Sequence, residues 1–298
     1  MTTEMSFPVT LKLKTCALLW IFVVLIGACG SITDPEPKYF DGERAFRLVE
    51  KQMEFGTRIP GTEGHRETGD WIIDELNDLE WEVEEQKFTY KGILGRNIIA
   101  KNGLEDGEWI ILGAHYDTRP KANRDPDHYD EPVPGANDGA SGVAVLLDLA
   151  RVLPPLIDQP LWLVFFDVED SGGIDDMEWV AGSTYFVETL VKYPEAVVVI
   201  DMVGDSDLGI YFENNSDFDL SHQIWTIAEE LGYESFIRLP KYTIIDDHVP
   251  FIRRGIPAVD IIDFDYAYWH TTEDTLDKVS AESLEQVGRT LQEWLTAR

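Results

Sequence analysis

Carboxylate and imidazole side chains follow several short apolar runs of this sequence. The runs are continuously hydrophobic and bounded by turn signals, which is typical of buried strands: WIILGA (109–114), LWLVFF (161–166), AVVVI (196–200) and IPAVDII (256–262). The polar residues that come after them are His115 and Asp117, then Asp167, Glu169 and Asp170, then Asp201, and finally Trp269 and His270. Ligands of open α/β sheets bind outside the carboxyl ends of the strands, so we expect these side chains to share one rim. Zinc accepts neutral imidazole and carboxylate oxygen, and the pattern therefore predicts a metal site.

Asp138 is a further candidate ligand, supplied by a turn rather than by a strand. It lies in the small-residue segment 135–142 (GANDGASG), directly before a helical pattern that ends near Leu153. An aspartate at the start of a helix is often only the cap that accepts backbone N–H groups. The small neighbours would also let the backbone approach an ion closely. We expect Asp138 to act both as a cap and as a metal ligand.

Glu169 and Asp170 are adjacent acids with different predicted tasks. Neighbouring side chains at a strand end point apart, so one can bind a metal while the other faces a substrate. A carboxylate that lies near a cation without coordinating it can still transfer protons. We assign proton transfer to Glu169 and keep Asp170 as a candidate ligand.

The elements that must position these residues alternate along the chain. Helical spacing is predicted for 43–55, 64–79, 139–153, 183–192, 220–231 and 281–295, and an additional strand for 81–90. Apolar strands that alternate with amphipathic helices indicate an α/β fold, with a mostly parallel mixed sheet covered by helices on both faces. No repeat or linker divides the chain after its N-terminal part, which predicts a single domain.

At these residues the sequence resembles the zinc exopeptidase superfamily, which contains bacterial zinc aminopeptidases and glutaminyl-peptide cyclotransferases. The similarity covers about residues 45–296. The motifs that carry it are His115-Tyr116-Asp117, Asn137-Asp138-Gly139, Phe166-Asp167-Val168-Glu169-Asp170, Gly182-Ser183, Ile200-Asp201, Asp247-His248-Val249-Pro250-Phe251 and Trp269-His270-Thr271. The resemblance implies the fold of that superfamily, with Glu169 as general base. The metal ligands that it implies are His115, Asp138, Asp170, Asp201 and His270.

The cyclotransferase branch is the more similar of the two. The segment from Asp246 to Pro257 (DDHVPFIRRGIP) is similar to that branch almost residue by residue. Aminopeptidases of the superfamily usually carry a small residue where Asp246 stands, and rarely a tryptophan where Trp269 precedes the last histidine. These two positions favour the cyclotransferase reading.

The resemblance bears on the number of zinc ions. In the cyclotransferases one zinc is held by residues that match Asp138, Asp170 and His270, while His115 and Asp201 form a possible second site. Asp170 departs from the glutamate usual in both branches, and its side chain is one methylene shorter. The resemblance favours one ion, and the shorter Asp170 leaves two possible.

The resemblance implies an enzyme that acts on peptides or proteins with an N-terminal glutamine, forming pyroglutamate and releasing ammonia. Glu169 would shuttle the proton, and Asp246 with Asp201 would form a hydrogen-bonded carboxylate pair that steadies the transfer. Trp269 and Trp179 would wall the substrate pocket, although core packing is the ordinary role of an aromatic side chain.

Two alternatives stay open at this point. As an aminopeptidase, the protein would hold two zinc ions and use Glu169 to activate a bridging water, releasing N-terminal residues. As a lipoprotein without activity, it would only bind peptides. The presence of Glu169 beside all the candidate ligands argues against the second alternative.

The N-terminus predicts export. Lys12 and Lys14 precede an apolar run, residues 16–28, that is too short to span a membrane but suits a signal peptide. The segment Ile26-Gly27-Ala28-Cys29 resembles a bacterial lipobox, which predicts lipidation of Cys29. Ordinary cleavage and an uncleaved anchor helix are the alternatives. We expect a protein anchored by lipid at the outer face of the bacterial cytoplasmic membrane, or otherwise extracytoplasmic.

The predicted organisation has three parts. Residues 1–28 are a lipoprotein signal peptide, residues 29–40 are a tether that contains Pro35 and Pro37, and residues 41–298 are the zinc-dependent catalytic domain. An acidic loop at 119–134 is interpreted as solvated.

The charge of the chain limits its partners. The 298 residues include 24 Lys and Arg against 56 Asp and Glu, a formal net charge of -32. A field of this sign repels phosphate backbones and excludes nucleic acid as a partner. It suits the cationic amino group of a peptide or protein N-terminus, the expected substrate. We expect a monomer that contacts the membrane only through its lipid anchor.

Overall fold

A computed structural model of the chain describes residues 1–5, 39–103, 108–154 and 157–298. One compact unit extends over Lys38–Arg298, in agreement with the predicted single domain. The predicted signal peptide lies outside the described residues apart from residues 1–5, and so do Cys29 and most of the tether, whose assignments stay predictions. Within the described ranges, no helix has the length and apolarity that a membrane crossing requires.

A mixed sheet forms the centre of this unit. The strands are β1 (Glu82–Tyr90), β2 (Ile93–Asn102), β3 (Ile110–His115), β4 (Leu161–Phe166), β5 (Ala196–Asp201), β6 (Ile210–Glu213), β7 (Phe236–Tyr242) and β8 (Ala258–Ile262). The 6-stranded sheet has the order β1-β2-β4-β3-β5-β8, and β6 pairs with β7 separately. Strands β4, β3, β5 and β8 run parallel, whereas β2 is antiparallel to both of its neighbours. The predicted α/β class with a mostly parallel mixed sheet is confirmed.

Helices cover both faces of the sheet, as predicted. They are α1 (Gly42–Glu54), α2 (Glu63–Asp78), α3 (Ala140–Val152), α4 (Ala181–Thr189), α5 (Phe218–Glu230), α6 (Val249–Arg253) and α7 (Ala281–Thr296), with a 3-10 turn at Leu276–Lys278. On one face, strand residues such as Leu112 pack in a cluster with α1, α3 and α7. On the other face, Ile111 and its neighbours pack with Phe186 of α4 and Phe251 of α6. The alternation of strand side chains thus divides the core into two layers.

The elements that sequence reasoning missed are β2, β6, β7 and α6. Strand β2 follows β1 through Lys91 and Gly92, which both have positive φ (46° and 88°), as tight hairpin turns require. Arg96 and Asn97 interrupt the apolar pattern of β2. Asn97 is nevertheless fully buried, and its Nδ2 donates to the carbonyl of Gly182, 2.9 Å away. Because Asn97 is polar and its partner is distant in sequence, it breaks the apolar pattern by which β2 could have been predicted.

Candidate active site

The carboxyl ends of the parallel strands meet at one edge of the sheet, where a cavity of about 290 Å³ opens. Among its lining residues are these predicted site residues: Asp138, Glu169, Asp170, Trp179, Asp201, Asp246, Trp269 and His270. His115 lies directly behind them, with its Nε2 3.1 Å from Asp201 Oδ1. The expectation of a shared rim is therefore met for these residues. It was wrong for Asp167, whose carboxylate contacts His65 (Nε2 to Oδ1, 2.8 Å) and the hydroxyl of Tyr116 (3.1 Å) and does not line the cavity.

Asp138, Asp170 and His270 form a group that could hold a metal ion. One ligand atom from each lies within 4.8 Å of the others. His270 Nε2 is 3.1 Å from Asp170 Oδ1 and 3.7 Å from Asp138 Oδ2. Within the described part of the chain, Oδ2 of Asp138 and Oδ2 of Asp170 are buried without a hydrogen-bond partner. Buried carboxylate oxygens left unpaired call for a cation, and the donor set suits zinc.

Protonation supports this assignment of ligands. Burial lowers the pKa of His270 to about 3, although the charge of Asp138 opposes the shift. The imidazole is therefore neutral, the form that binds metals. Burial raises the pKa of Asp170 to about 7, although the charge of Arg119 opposes it. A carboxylic acid at such a site loses its proton when a metal ion binds.

His115, Asp138 and Asp201 form a second group of ligand atoms within 4.8 Å of one another. His115 Nε2 is 3.2 Å from Asp138 Oδ1, so Asp138 faces His115 with one oxygen and His270 with the other. Burial lowers the pKa of His115, but the nearby carboxylates, Asp201 foremost, raise it well above the ordinary value. The described residues can thus accommodate one ion, or two that share Asp138.

Asp138 does not cap the helix that follows it, so the predicted double role was wrong in this respect. The N-cap of α3 is Gly139, and no side-chain cap bond is seen among the described residues. Gly139 has a φ of 94°, and a Cβ there would lie 2.7 Å from the carbonyl oxygen of Asp117. Asp274 holds this turn instead, because it accepts the N–H groups of Asn137 (2.9 Å) and Asp138 (3.1 Å). The Asp138 carboxylate is left to face the cavity.

Asp117 holds the two adjacent acids after β4. Its Oδ1 accepts the N–H of Glu169 at 3.0 Å and its Oδ2 accepts the N–H of Asp170 at 3.2 Å. Val168, just before them, has a φ of 57°, a strained conformation for a β-branched residue. Strain of this kind persists where surrounding contacts enforce it, which is common at functional sites. The sequence placed Asp117 at the rim but gave no indication of this positioning role.

Glu169 lies among other acids on the floor of the cavity. It is buried, and burial raises its pKa well above the ordinary value, although the charge of His115 opposes the shift. The charges of Asp246, Asp170 and Asp247 raise the pKa further. A raised pKa makes a carboxylate a stronger proton acceptor than that of an exposed acid.

Asp246 and Asp201 line the same cavity. Burial and then the charge of Asp201 raise the pKa of Asp246 to about 6. The charges of both, after burial, also raise the pKa of Asp260 in β8 well above its ordinary value. The carboxyls therefore interact closely, and the predicted hydrogen bond between Asp246 and Asp201 stays a prediction.

Two tryptophans flank the imidazole of His270. Trp179 stacks on it, with ring centroids 5.9 Å apart and planes at 9°. Trp269 lies on it with centroids 4.0 Å apart and planes at 35°. Both indoles line the cavity, where they provide apolar walls next to the candidate ligands.

The acidic loop at 119–134 is not simply solvated, which corrects the interpretation from sequence. Asp125 is buried, and its Oδ2 accepts the hydroxyl of Thr272 at 2.6 Å. Its Oδ1 accepts the N–H groups of Asp127 and His128. The N–H of Arg124 donates to the carbonyl of His270 at 3.2 Å. The loop thus supports the segment that carries His270, while its remaining acids are exposed.

The chain is similar to proteins of known family and structure. Residues 97–295 match the family model described as Peptidase family M28. The glutaminyl cyclase of Porphyromonas gingivalis is 36% identical and superposes with a TM-score of 0.82, covering 86% of this chain and 98% of that chain. A Zn-dependent exopeptidase from Parabacteroides distasonis is 30% identical with a TM-score of 0.83, covering 88% of this chain and 100% of the other.

One relative of known sequence is named as an aminopeptidase. Aminopeptidase YwaD of Bacillus subtilis is 32% identical over 217 residues, which are 67% of this chain. The chain spans only 43% of the length of that aminopeptidase.

Proposed function

We propose that this chain, which belongs to peptidase family M28, is a zinc-dependent glutaminyl-peptide cyclotransferase. The observation that carries the proposal is the composition of one cavity. Asp246 and Glu169 line it together with Trp269, whose ring centroid lies 4.0 Å from that of His270. Asp246 and Trp269 are the two positions at which the sequence resembles cyclotransferases rather than aminopeptidases. The likeness to the Porphyromonas gingivalis glutaminyl cyclase supports the same reading.

Asp138, Asp170 and His270 would hold the zinc ion. Their unpaired carboxylate oxygens and neutral imidazole match its preferences. A bound zinc supplies Lewis acidity toward the γ-carbonyl oxygen of the substrate glutamine.

The remaining residues of the cavity would bind the substrate and move its proton. The indoles of Trp179 and Trp269 hold the glutamine side chain folded toward its own α-amine, so both reactants are already adjacent. Glu169 accepts a proton from the attacking α-nitrogen and returns one to the amide nitrogen. A bond forms between the α-nitrogen and the γ-carbonyl carbon, the bond from that carbon to the amide nitrogen breaks, and ammonia leaves.

A second candidate function is that of an aminopeptidase. It is favoured by the ligand group of His115, Asp138 and Asp201, which shares Asp138 with the first group. Two ions could then be held, with Glu169 as base toward an attacking water. The product would be a free amino acid.

A peptide assay separates the two functions. The protein is incubated with zinc and a peptide that begins with glutamine, and in parallel with the same peptide beginning with leucine. We expect ammonia from the first peptide with every residue retained, and no change in the second. Release of free glutamine or free leucine would favour the aminopeptidase. Metal content near one ion per chain, rather than two, is expected from the cyclotransferase reading.

A further inference from the structure

Arg119 is a buried cation beside the candidate metal ligands, and the proposed reaction gives it no task. Its side chain is 2% exposed. Nη1 donates to Asp170 Oδ1 at 3.0 Å and to the Asp170 carbonyl at 3.1 Å. Nη2 donates to the carbonyl of Gly172 at 3.0 Å, and Nε donates to Asn123 Oδ1 at 2.5 Å. The planar guanidinium therefore holds the acid together with the turn that follows it.

Arg119 donates to only one of the two carboxylate oxygens of Asp170. Oδ1 accepts from Arg119, while Oδ2 is buried and, among the described residues, has no hydrogen-bond partner. The rotation of the carboxylate is thus fixed: Oδ1 is held by Arg119 and also lies 3.1 Å from His270 Nε2, and among the described residues Oδ2 is left without a hydrogen bond. An aspartate is one methylene shorter than a glutamate, so the carboxylate of Asp170 reaches less far from the backbone. A fixed orientation matters more for a short ligand than for a long one, which can adjust.

Arg119 also contacts the aromatic wall of the cavity. Its guanidinium carbon lies 4.8 Å from the centroid of the Trp179 ring. Trp179 in turn stacks on His270, another candidate ligand. A Cβ at Gly172 would lie 2.1 Å from the Trp179 ring, so the turn that Arg119 holds is packed directly against the indole. One side chain therefore touches a metal ligand, the turn after it and the substrate wall.

We propose that Arg119 is a positioning residue that couples the metal site to the substrate pocket. It orients the carboxylate of Asp170 toward the ion and holds the indole of Trp179 in place. The inference rests on the proposed metal site, and it applies to either of the two candidate reactions.

The first test is zinc affinity, measured by competition with a chelator. We expect Arg119→Met and Arg119→Lys each to bind zinc about 10- to 100-fold more weakly than the wild type, as loss of an outer hydrogen bond to a ligand does. The lysine variant keeps the charge but not the planar set of donors. Affinity unchanged or increased in Arg119→Met would overturn the proposal. Should the methionine variant fail to fold, the lysine variant carries the same test.

Arg124 offers a matched control. It comes from the same loop and lies over the other tryptophan, with its guanidinium carbon 4.2 Å from the Trp269 centroid. Its side chain is exposed and, within the described residues, makes no ion pair with a candidate ligand. Arg124→Met removes a charge near His270 but no hydrogen bond to a ligand side chain, so it should change zinc affinity much less than Arg119→Met does. An equal loss in both variants would show a general effect of the loop and would contradict a specific role of Arg119.

A second variant tests whether Arg119 acts through Asp170. In an Asp170→Glu background the longer side chain can reach the ion without the anchor, so Arg119→Met should weaken zinc binding clearly less than it does in the wild type. Equal losses in both backgrounds would contradict the mechanism.

Turnover at saturating zinc provides the remaining readout. The Michaelis constant for a peptide with N-terminal glutamine should rise in Arg119→Met more than kcat falls, because Trp179 loses its support. A wild type that binds zinc but releases no ammonia would sink the proposed cyclisation while the zinc result still decides the role of Arg119. Unchanged zinc affinity, with cyclisation intact in the wild type, would sink this inference alone.

Discussion

The adjacent acids Glu169 and Asp170 share one backbone anchor but lie in different surroundings. Asp117 accepts the N–H groups of both. Asp170 then faces Arg119 and His270. The Glu169 carboxyl has other acids as neighbours. Its pKa is raised, and burial is the largest cause of the shift. Under the proposed function, these different surroundings would make Asp170 a metal ligand and Glu169 a proton carrier.

Replacement of Glu169 by glutamine tests the proton-carrying task. Glu169→Gln should reduce kcat/KM for a glutamine peptide by about 100- to 10,000-fold, because the amide cannot accept the proton. Zinc content should stay unchanged, since Glu169 belongs to neither ligand group. Glu178→Gln is a control at an exposed glutamate nearby. Near-normal turnover in Glu169→Gln would refute the assignment.

The affinity for zinc should depend on pH. Burial raises the pKa of Asp170 to about 7 and lowers that of His270 to about 3. Below pH 7 the ion must therefore displace a proton from Asp170 but none from His270. Apparent affinity should fall about tenfold for each pH unit below 7 and level off above it. Chelator competition between about pH 5.5 and 8.5, corrected for the protonation of the chelator, measures this. A zinc affinity that does not change over that range would contradict the shifted pKa of Asp170.

At the scale of elements, the strands that carry the site were predictable and the contacts that fix the site were not. Strands β3, β4 and β5 are buried along their whole length, so their continuous apolar runs identify them in the sequence. The residue types at their ends then indicate the metal site. The role of Asp274 could not be predicted, because it accepts the N–H of Asp138 from a position 136 residues away in the chain. Arg119 and Asp170 are 51 positions apart and form their pair only in the fold.

The first turn of α3 brings Asp138 to the site through close backbone packing. A Cβ at Gly142 would lie 2.2 Å from the carbonyl oxygen of Ile200 and 2.9 Å from the Cβ of Ala114. The helix therefore rests directly on β3 and β5, at a distance that only glycine permits.

Gly142→Ala should push α3 away from the sheet. We expect the free energy of unfolding to fall by about 1–3 kcal/mol, the usual cost of overpacking. Denaturant unfolding of the zinc-free protein measures it. Gly209→Ala is a matched control, because the nearest atom to a Cβ there is 3.8 Å away. Equal stability of the Gly142 variant and the wild type would contradict this packing.

At the scale of the molecule, negative charge dominates. The formal net charge is -32, and carboxyls are also concentrated at the rim of the cavity. Under the proposed function, this field would attract the cationic amino group of a peptide. The same charge opposes the compact state through self-repulsion. A cation in the site would relieve part of this repulsion where the acids are closest.

Added salt should stabilise the protein. From about 0.01 M to about 1 M the Debye length falls from about 30 Å to about 3 Å, which screens the repulsion between surface carboxylates. The melting temperature of the zinc-free protein should rise across this range, equally in sodium and potassium chloride. A falling melting temperature would mean that attractive ion pairs outweigh the net charge.

The most direct test of the account is the position of the ion itself. A crystal grown with zinc and measured on both sides of the zinc absorption edge would locate it by anomalous scattering. We expect a peak about 2.0–2.2 Å from the imidazole of His270 and from carboxylate oxygens of Asp138 and Asp170. A fully occupied peak elsewhere, or none at this rim in zinc-saturated crystals, would contradict the convergence on which both candidate reactions depend.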